Sequence, residues 1–431
     1  MDDNLRILLL GAGGREHAIA WSLAQSPRVE KVICIPGNGA TAYKLAKVEN
    51  APQTISANNF GELVKFAKDN AINLVVPGTE KYIVGGIERC FKDAGVAVFG
   101  PSEEAARLEG SKCFAKEFMT RHSIPTAKYW NCYSLEDARR ALGQTDFPIV
   151  VKASGLAGGK GVLMPNGADE NLSAVKTIMC DRVFGDAGNE IVIEERLYGD
   201  EISITFVTDG RSLRLFPVGQ DAQRIRDGNE GANTGGMGVY APTAILDDGQ
   251  IKSIIKNILE PSVKGISDEG HMFIGFICVG LMMTSSGPRL IEFNARFGDP
   301  EAQTLLPMMD DKSDLAEIMM ACVHQRLHQV HLGFKPGFSV SIVLASKGYP
   351  GDYEIGKKIS IEPTSKGGEV LMFHAGTVLD GDSLKTNGGR VLAVVALAET
   401  LEDAAKCAYE GVKRIRFDGM YFRTDIGKLK P

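Results

Sequence analysis

Ten residues, Lys152-Ala-Ser-Gly155-Leu-Ala-Gly158-Gly159-Lys160-Gly161, set two ammonium groups around four glycines. Backbone N–H groups without side chains in the way, together with lysine charge, can fold over a triphosphate. The run falls short of a Walker A loop: it has one residue too few before the lysine, and Gly161 stands where a metal-binding hydroxyl belongs. It reads as a covering loop between two strands, and a bare hairpin turn would not need this composition.

A second run, Leu290-Ile-Glu292-Phe-Asn294-Ala-Arg296-Phe-Gly298-Asp299-Pro300-Glu301, alternates apolar and polar residues. On a strand Glu292 and Asn294 share a face, and both offer the hard oxygen atoms that suit Mg²⁺ bridging phosphates. Arg296 continues that face and is suited to stabilising a phosphoryl group in transfer. Nearer the start, Gly11-Ala-Gly13-Gly14-Arg15-Glu16-His17 follows an apolar run, as expected of an anion seat at a helix N-terminus. Glu16 stands where a dinucleotide fingerprint needs glycine, and no acidic residue ends the second strand, so an NAD site is a poor reading. Glu194-Glu195-Arg196-Leu197-Tyr198-Gly199-Asp200-Glu201 is either a solvated acidic turn or a set of acceptors for an adenine and a ribose. His324, His328 and His331, at i, i+4 and i+7, have no carboxylate or cysteine beside them and read as a solvated face rather than a metal site. Asn233-Thr-Gly235-Gly236-Met-Gly238 reads as a mobile loop or a connector.

These residues need a scaffold. Strands at 5–10, 31–35, 72–76 and 96–99 alternate with helices ending near 25 and covering 59–70 and 82–94, which implies a parallel sheet closing near Gly100-Pro101. The middle, with strands at 148–152, 161–164, 190–195, 201–208, 211–219, 272–284 and 289–294 and a helix near 170–180, reads as α+β. A helix at 313–328 leads to a linker at Gly333–Gly337. Strands at 339–345, 370–378 and 390–397 and a helix at 400–414 complete the chain. The fold class is therefore α/β and α+β in several domains, as 431 residues allow.

Composition narrows the setting. Net charge is −6, with no run of five like charges, which argues against nucleic-acid and membrane-surface partners. The acidic start lacks a signal-peptide layout, and Phe273–Met283 is too short to cross a bilayer. Eight scattered cysteines without a C-x-x-C pair read as reduced thiols, so a cytoplasmic setting is expected. The 49 glycines, about 11%, exceed an average near 7%, and 14 of them, most of the excess, lie in the proposed phosphate, loop or substrate segments.

Taken in order, Gly-x-Gly-Gly-Arg-Glu-His (11–17), Glu-Gly-Ser-Lys (109–112), the 152–161 loop, Asn-Thr-Gly-Gly-Met-Gly (233–238), Arg-Phe-Gly-Asp-Pro-Glu (296–301), Gly-Tyr-Pro-Gly-Asp-Tyr (348–353) and Thr-Asn-Gly-Gly-Arg (386–390) resemble the glycinamide ribonucleotide synthetases. These are ATP-grasp ligases of purine biosynthesis, which join glycine to phosphoribosylamine, and the likeness runs from residue 5 to 427.

The resemblance implies an N-terminal substrate-binding parallel-sheet domain at 1–103, a two-lobed ATP-grasp domain at 104–330 with its small lobe at about 122–193, and a small α+β C-terminal domain at 331–431. It assigns Lys112, Lys152 and the Gly158, Gly159, Lys160, Gly161 loop to ATP phosphates, with Glu194, Glu195 and Leu197 at adenine and Glu201 at ribose. Glu292 and Asn294 would bind Mg²⁺ or Mn²⁺, and Arg296 and Lys152 would serve catalysis. Gly13, Gly14, Arg15, Asn38, Glu80, Asp221, Asp299, Pro300, Glu301 and Arg390 would hold the substrates, and a monomer is expected. Four departures stand out: Thr79 replaces a proline, Ser154 an aspartate, Ala232 a proline, and Ala222-Gln223 a His-Lys pair. The last leaves open a carboxylate–amine ligase with a different amine or carboxylate substrate.

Overall fold

The computed structural model describes residues 4–41, 45–363 and 370–428, so the acidic Met1–Asp3 lies outside the described residues. Strand Leu5–Gly11 is buried along nearly its whole length and occupies the centre of a five-stranded parallel sheet. Val29–Pro36 and Val48–Asn50 lie on one side of it, Leu74–Pro77 and Ala97–Val98 on the other. The chain therefore reverses direction across the sheet beside Leu5–Gly11, and ligands of open α/β sheets gather in the crevice at such a point. The helix expected at 82–94 is two helices, Glu80–Val84 and Ile87–Asp93, broken where Gly86 takes a left-handed φ of 78°.

Helices Glu103–Gly110 and Lys112–Arg121 connect this sheet to the centre of the molecule, and neither was read from the sequence. Ser111 separates them and caps the second, its hydroxyl accepting the Phe114 N–H at 3.2 Å. A four-stranded antiparallel sheet follows in the order Tyr129–Cys132, Ile191–Glu195, Ile149–Ala153, Val162–Leu163. Helices Leu135–Leu142 and Ala168–Met179 cover one face of it. A second antiparallel sheet runs Leu213–Leu215, Asp200–Thr208, Gly275–Thr284, Gly287–Asn294. The strand expected at 211–219 shrinks to three residues here.

The last sheet is antiparallel and built from distant pieces. Its order is Gln220–Asp221, Gly238–Ala241, Phe338–Ala345, Arg390–Ala398, Val370–His374. Its first two strands flank the intervening segment 222–237. Helix Leu401–Val412 covers it through Ala404, Ala408 and Val412, its start capped by Thr400 on the Asp403 N–H. The expected strand at 370–378 is broken between Val370–His374 and Thr377–Asp380. The expected helix at 313–328 is Leu315–Val323, followed by a separate 3₁₀ turn at Leu327–Gln329. The three histidines therefore share no helix face. Among the described residues no helix is long and apolar enough to cross a membrane.

Candidate active site

Two cavities meet between the sheets. The larger, about 860 Å³, has apolar walls from Val150, Val162, Met164, Leu197, Ile245, Met282 and Ile291. The carboxylates of Glu194, Glu195 and Glu201 line it as well. The smaller, about 290 Å³, is lined by Arg15, Glu80, Glu109, Lys112, Asp221, Asn294, Arg296, Asp299, Glu301 and Arg390, and by Gly158, Gly159 and Gly161 of the loop. Val162, Asp221, Gln223, Asn233 and Glu292 belong to both walls, so the two spaces form one groove.

Strand ends position the charges at the join. Lys152, next to last on Ile149–Ala153, forms an ion pair with Glu194 near the end of Ile191–Glu195. Lys116 closes on Glu194 from the other side at 2.5 Å. Burial alone would raise the Glu194 carboxyl, but Lys152 and Lys116 hold it down at about 2. The carboxylate is thus committed to two ammonium groups, which separates it from Glu195 and Glu201. Burial, with the Glu292 charge beside it, pushes Glu201 up to about 7.

Glu292 and Asn294 do share one face of Gly287–Asn294 and line the smaller cavity. Glu292 Oε2 lies 3.7 Å from Lys112 Nζ. Against burial, Lys112, Lys152 and Arg296 keep this carboxyl below the ordinary carboxylate value. Asn294 Oδ1 accepts from Arg296 Nη2 at 3.1 Å. Among the described residues no group of three or more His, Cys, Asp or Glu side chains could hold a metal by itself. Two protein oxygens are too few to enclose a cation, so one held here would take its remaining ligands from phosphate oxygens and water.

Arg296 is engaged on several sides. Its Nη2 lies 3.1 Å from Glu109 Oε1, its Nε 3.5 Å from Glu80 Oε2, and its Nη1 donates to the Phe297 carbonyl at 3.3 Å. Glu109 was not singled out from the sequence beyond its place in the Glu-Gly-Ser-Lys motif. Neither was Lys116, whose signal is only a lysine one turn after Lys112. Arg390 donates to the carbonyls of Gly235 (2.5 Å), Gly236 (3.3 Å) and Asp299 (2.6 Å), which ties the 233–238 loop to the Asp299 turn. Asp221 Oδ1 is buried without a hydrogen-bond partner. The acids around Asp221 and Glu301 raise both carboxyls further, beyond what burial does.

The glycine-rich turn after the first strand closes on a carboxylate of the chain itself. The Gly13 N–H expected to meet a phosphate donates instead to Glu16 Oε2 at 2.6 Å. Arg15 Nε pairs with Glu16 Oε1 at 2.6 Å, and Arg15 Nη1 donates to the Phe297 carbonyl at 3.1 Å. A Cβ at Gly11, Gly13 or Gly78 would meet the Glu16 side chain at 2.5, 2.7 and 2.2 Å. These glycines make room for the chain's own carboxylate. Arg15 still lines the smaller cavity; Gly13 and Gly14 line neither. Asn38 is also spent internally: its amide donates to the carbonyls of Ala12 and His374, and its oxygen accepts from Ala40 and Thr41. Pro300 lines neither cavity, and Lys160 is exposed and outside both linings.

Of the departures, Ser154 stands beside the start of Lys112–Arg121, its hydroxyl accepting the Cys113 N–H at 3.2 Å. Thr79 Oγ1 is buried without a hydrogen-bond partner against the smaller cavity. Gln223 lines both spaces, while Ala222 packs on the C-terminal core. Nothing in the structure explains Ala232.

Three family models match the chain. They are described as the N domain (residues 5–109), the ATP-grasp (A) domain (110–302) and the C domain (339–429) of phosphoribosylglycinamide synthetase. The chain is 44% identical to the phosphoribosylamine–glycine ligase of Chlorobaculum tepidum over 425 residues, covering 98% of this chain and 99% of that protein. It is 46% identical to a bifunctional purine biosynthetic protein of Schizosaccharomyces pombe, covering 97% of this chain but spanning only 53% of the relative's length. The crystal structure of the Thermotoga maritima phosphoribosylamine–glycine ligase superposes with a TM-score of 0.83 at 32% identity, covering 98% of this chain and all of that one. The biotin carboxylase domain of the Hydrogenobacter thermophilus 2-oxoglutarate carboxylase, solved with MgADP and bicarbonate, shares the fold at a TM-score of 0.75 and 14% identity, over 97% of this chain and 91% of that one.

Proposed function

The chain belongs to the phosphoribosylglycinamide synthetase family, and from that membership we propose that it joins glycine to 5-phosphoribosylamine, consuming ATP and releasing ADP and phosphate. The observation that carries this reading is the join of the two cavities at Glu292, with Lys112 and Arg296 beside it. The larger cavity, with its apolar walls and acceptor groups, takes the nucleoside. The smaller one, ringed by opposed charges, takes the two polar substrates. The γ-phosphate then lies at the boundary.

Chemistry follows from that arrangement. The glycine carboxylate attacks the γ-phosphorus and ADP leaves, giving a glycyl phosphate. The amine of phosphoribosylamine attacks the acyl carbon, phosphate departs and the amide remains; activating the acid first makes the second step accessible. Arg296 and Lys112 face the charge that builds on the transferring group, and Lys152 is held at the join by Glu194. Glu292 and Asn294 would hold Mg²⁺ or Mn²⁺, which when bound neutralises phosphate charge. The buried carboxyls of Asp221 and Glu301 suit an ammonium or amine partner. The Gly158–Gly161 loop would exclude water from the labile acyl phosphate.

Eight unpaired thiols suit the cytoplasm. The test is ADP release with each substrate omitted in turn. Release that needs glycine and phosphoribosylamine together is expected; equal release without glycine would refute the reading. A different required amino acid would point to the alternative substrate that Gln223 leaves open.

A further inference from the structure

Glu109 is the penultimate residue of its helix, three residues before Lys112, and the proposed chemistry gives it no role. It is 7% exposed, at the end of Glu103–Gly110, yet its carboxylate faces the smaller cavity. Both oxygens are engaged at the base of the Asn294–Arg296 turn. Oε2 accepts the Ala295 N–H at 2.7 Å, and Oε1 meets Arg296 Nη2 at 3.1 Å. One carboxylate thus grips the backbone and the side chain of adjacent residues.

We propose that Glu109 is a positioning residue for the ligase reaction, fixing the Arg296 guanidinium toward the transferring phosphoryl group. The proposal rests on the function argued above. Three features of the structure support it. The Arg296 guanidinium also reaches Glu80 Oε2 and Asn294 Oδ1, so its orientation depends on the balance of its partners, and Glu109 Oε1 holds its Nη2 end. The Ala295 contact anchors the strand end itself, so the guanidinium starts from a fixed Cα. Finally, Glu109 and Lys112 flank the same short turn, and Lys112 faces Glu292 at 3.7 Å. A single turn of chain therefore sets both the arginine and the lysine of the phosphate boundary, coupling the 109–112 motif to the 292–296 strand end.

The carboxylate is specifically required because both contacts use it as an acceptor. A glutamine offers one acceptor and one N–H₂ donor, so one of the two contacts becomes donor against donor. Glu109→Gln therefore perturbs the geometry while keeping side-chain volume. Glu109→Asp keeps two acceptors on a shorter stem.

The experiment measures kcat and KM for full-length Glu109→Gln and Glu109→Asp, in the wild-type and in the Arg296→Lys backgrounds, with thermal melting to confirm folding. Glu109→Gln is expected to lower kcat about tenfold or more while KM for ATP stays within about twofold, because the lost contact acts on transition-state charge. Glu109→Asp should recover part of that loss. In the Arg296→Lys background, the Glu109→Gln effect should fall below about threefold, since residues acting as a unit are not additive. Equal losses in both backgrounds, a kcat within about twofold of wild type, or a rise in KM for ATP alone would overturn the proposal. If the wild-type enzyme shows no glycine-dependent turnover, the functional reading fails instead, and the two failures are distinguishable.

Discussion

Lys116 and Glu194 sit 2.5 Å apart, each with a side chain no more than 6% exposed, and Lys152 reaches the same carboxylate from the opposite side. The groove is therefore braced by a charge triad whose Lys152 and Glu194 line the larger cavity, while Lys116 lies outside its lining. Lys116 also donates to Thr126 Oγ1 at 2.8 Å, which in turn donates to the Leu290 carbonyl of the Glu292 strand. The brace spans both central sheets.

Removing Lys116 should expose how much the brace matters. Lys116→Met leaves Glu194 paired by Lys152 alone and is expected to lower unfolding stability by about 3 kcal/mol, the cost of breaking one side of a buried pair. KM for ATP should rise, because Lys152 is drawn further onto Glu194. Urea denaturation and initial-rate kinetics read both effects.

Two carboxyls give stability opposite pH dependences. Glu201 is raised from 4.5 to about 7, so the folded protein retains a proton there that the unfolded chain releases. That contribution is full below pH 4.5 and is lost as pH rises through 7. Glu194, held at about 2, contributes above pH 4.5 and loses its contribution as pH falls toward 2. Glu201→Gln should therefore flatten the slope between pH 4.5 and 7 and leave the acid limb. A pH series of chemical denaturation curves checks it.

Glu292→Gln keeps the shape of the strand end and removes one anionic oxygen. Turnover at fixed Mg²⁺ should fall about a hundredfold, with a higher metal concentration needed for half-maximal rate, if the carboxylate shares a cation with phosphate. Melting temperature should change little. A metal titration monitored by ADP release separates a lost ligand from a lost fold, and an unchanged metal requirement would remove Glu292 from that role.

Gly199 and Gly158 should respond differently to alanine. Both have positive φ, 151° and 58°, but a Cβ at Gly199 would lie 2.0 Å from the Met283 carbonyl oxygen, whereas nothing lies within 4 Å of one at Gly158. Gly199→Ala should cost about 3 kcal/mol, since backbone must move. Gly158→Ala should cost about 1 kcal/mol, the left-handed penalty alone. Thermal melts of the two variants compare them directly.

Much of this molecule is written locally. The alternation of apolar strands and helices through residue 99 specifies a parallel sheet, because crossover connections permit little else. Alternation along 290–294 likewise puts Glu292 and Asn294 on one face without reference to any other part of the chain. What the sequence could not assign is which charge meets which. Glu16 looked like the bystander of a phosphate turn, yet its carboxylate takes the Gly13 N–H and fills the space that Gly11 and Gly78 leave. Glu109 is 186 residues from Ala295, and Lys116 lies far along the chain from Glu194; no periodicity pairs them. Gly238–Ala241 does not read as a strand because its partner, Phe338–Ala345, begins about a hundred residues later, and Gln220–Asp221 in turn pairs only with Gly238–Ala241. Short-range sterics and hydrophobic period determine elements. Ion pairs and sheet edges depend on distances that exist only once the chain has closed on itself, and tertiary structure alone decided them.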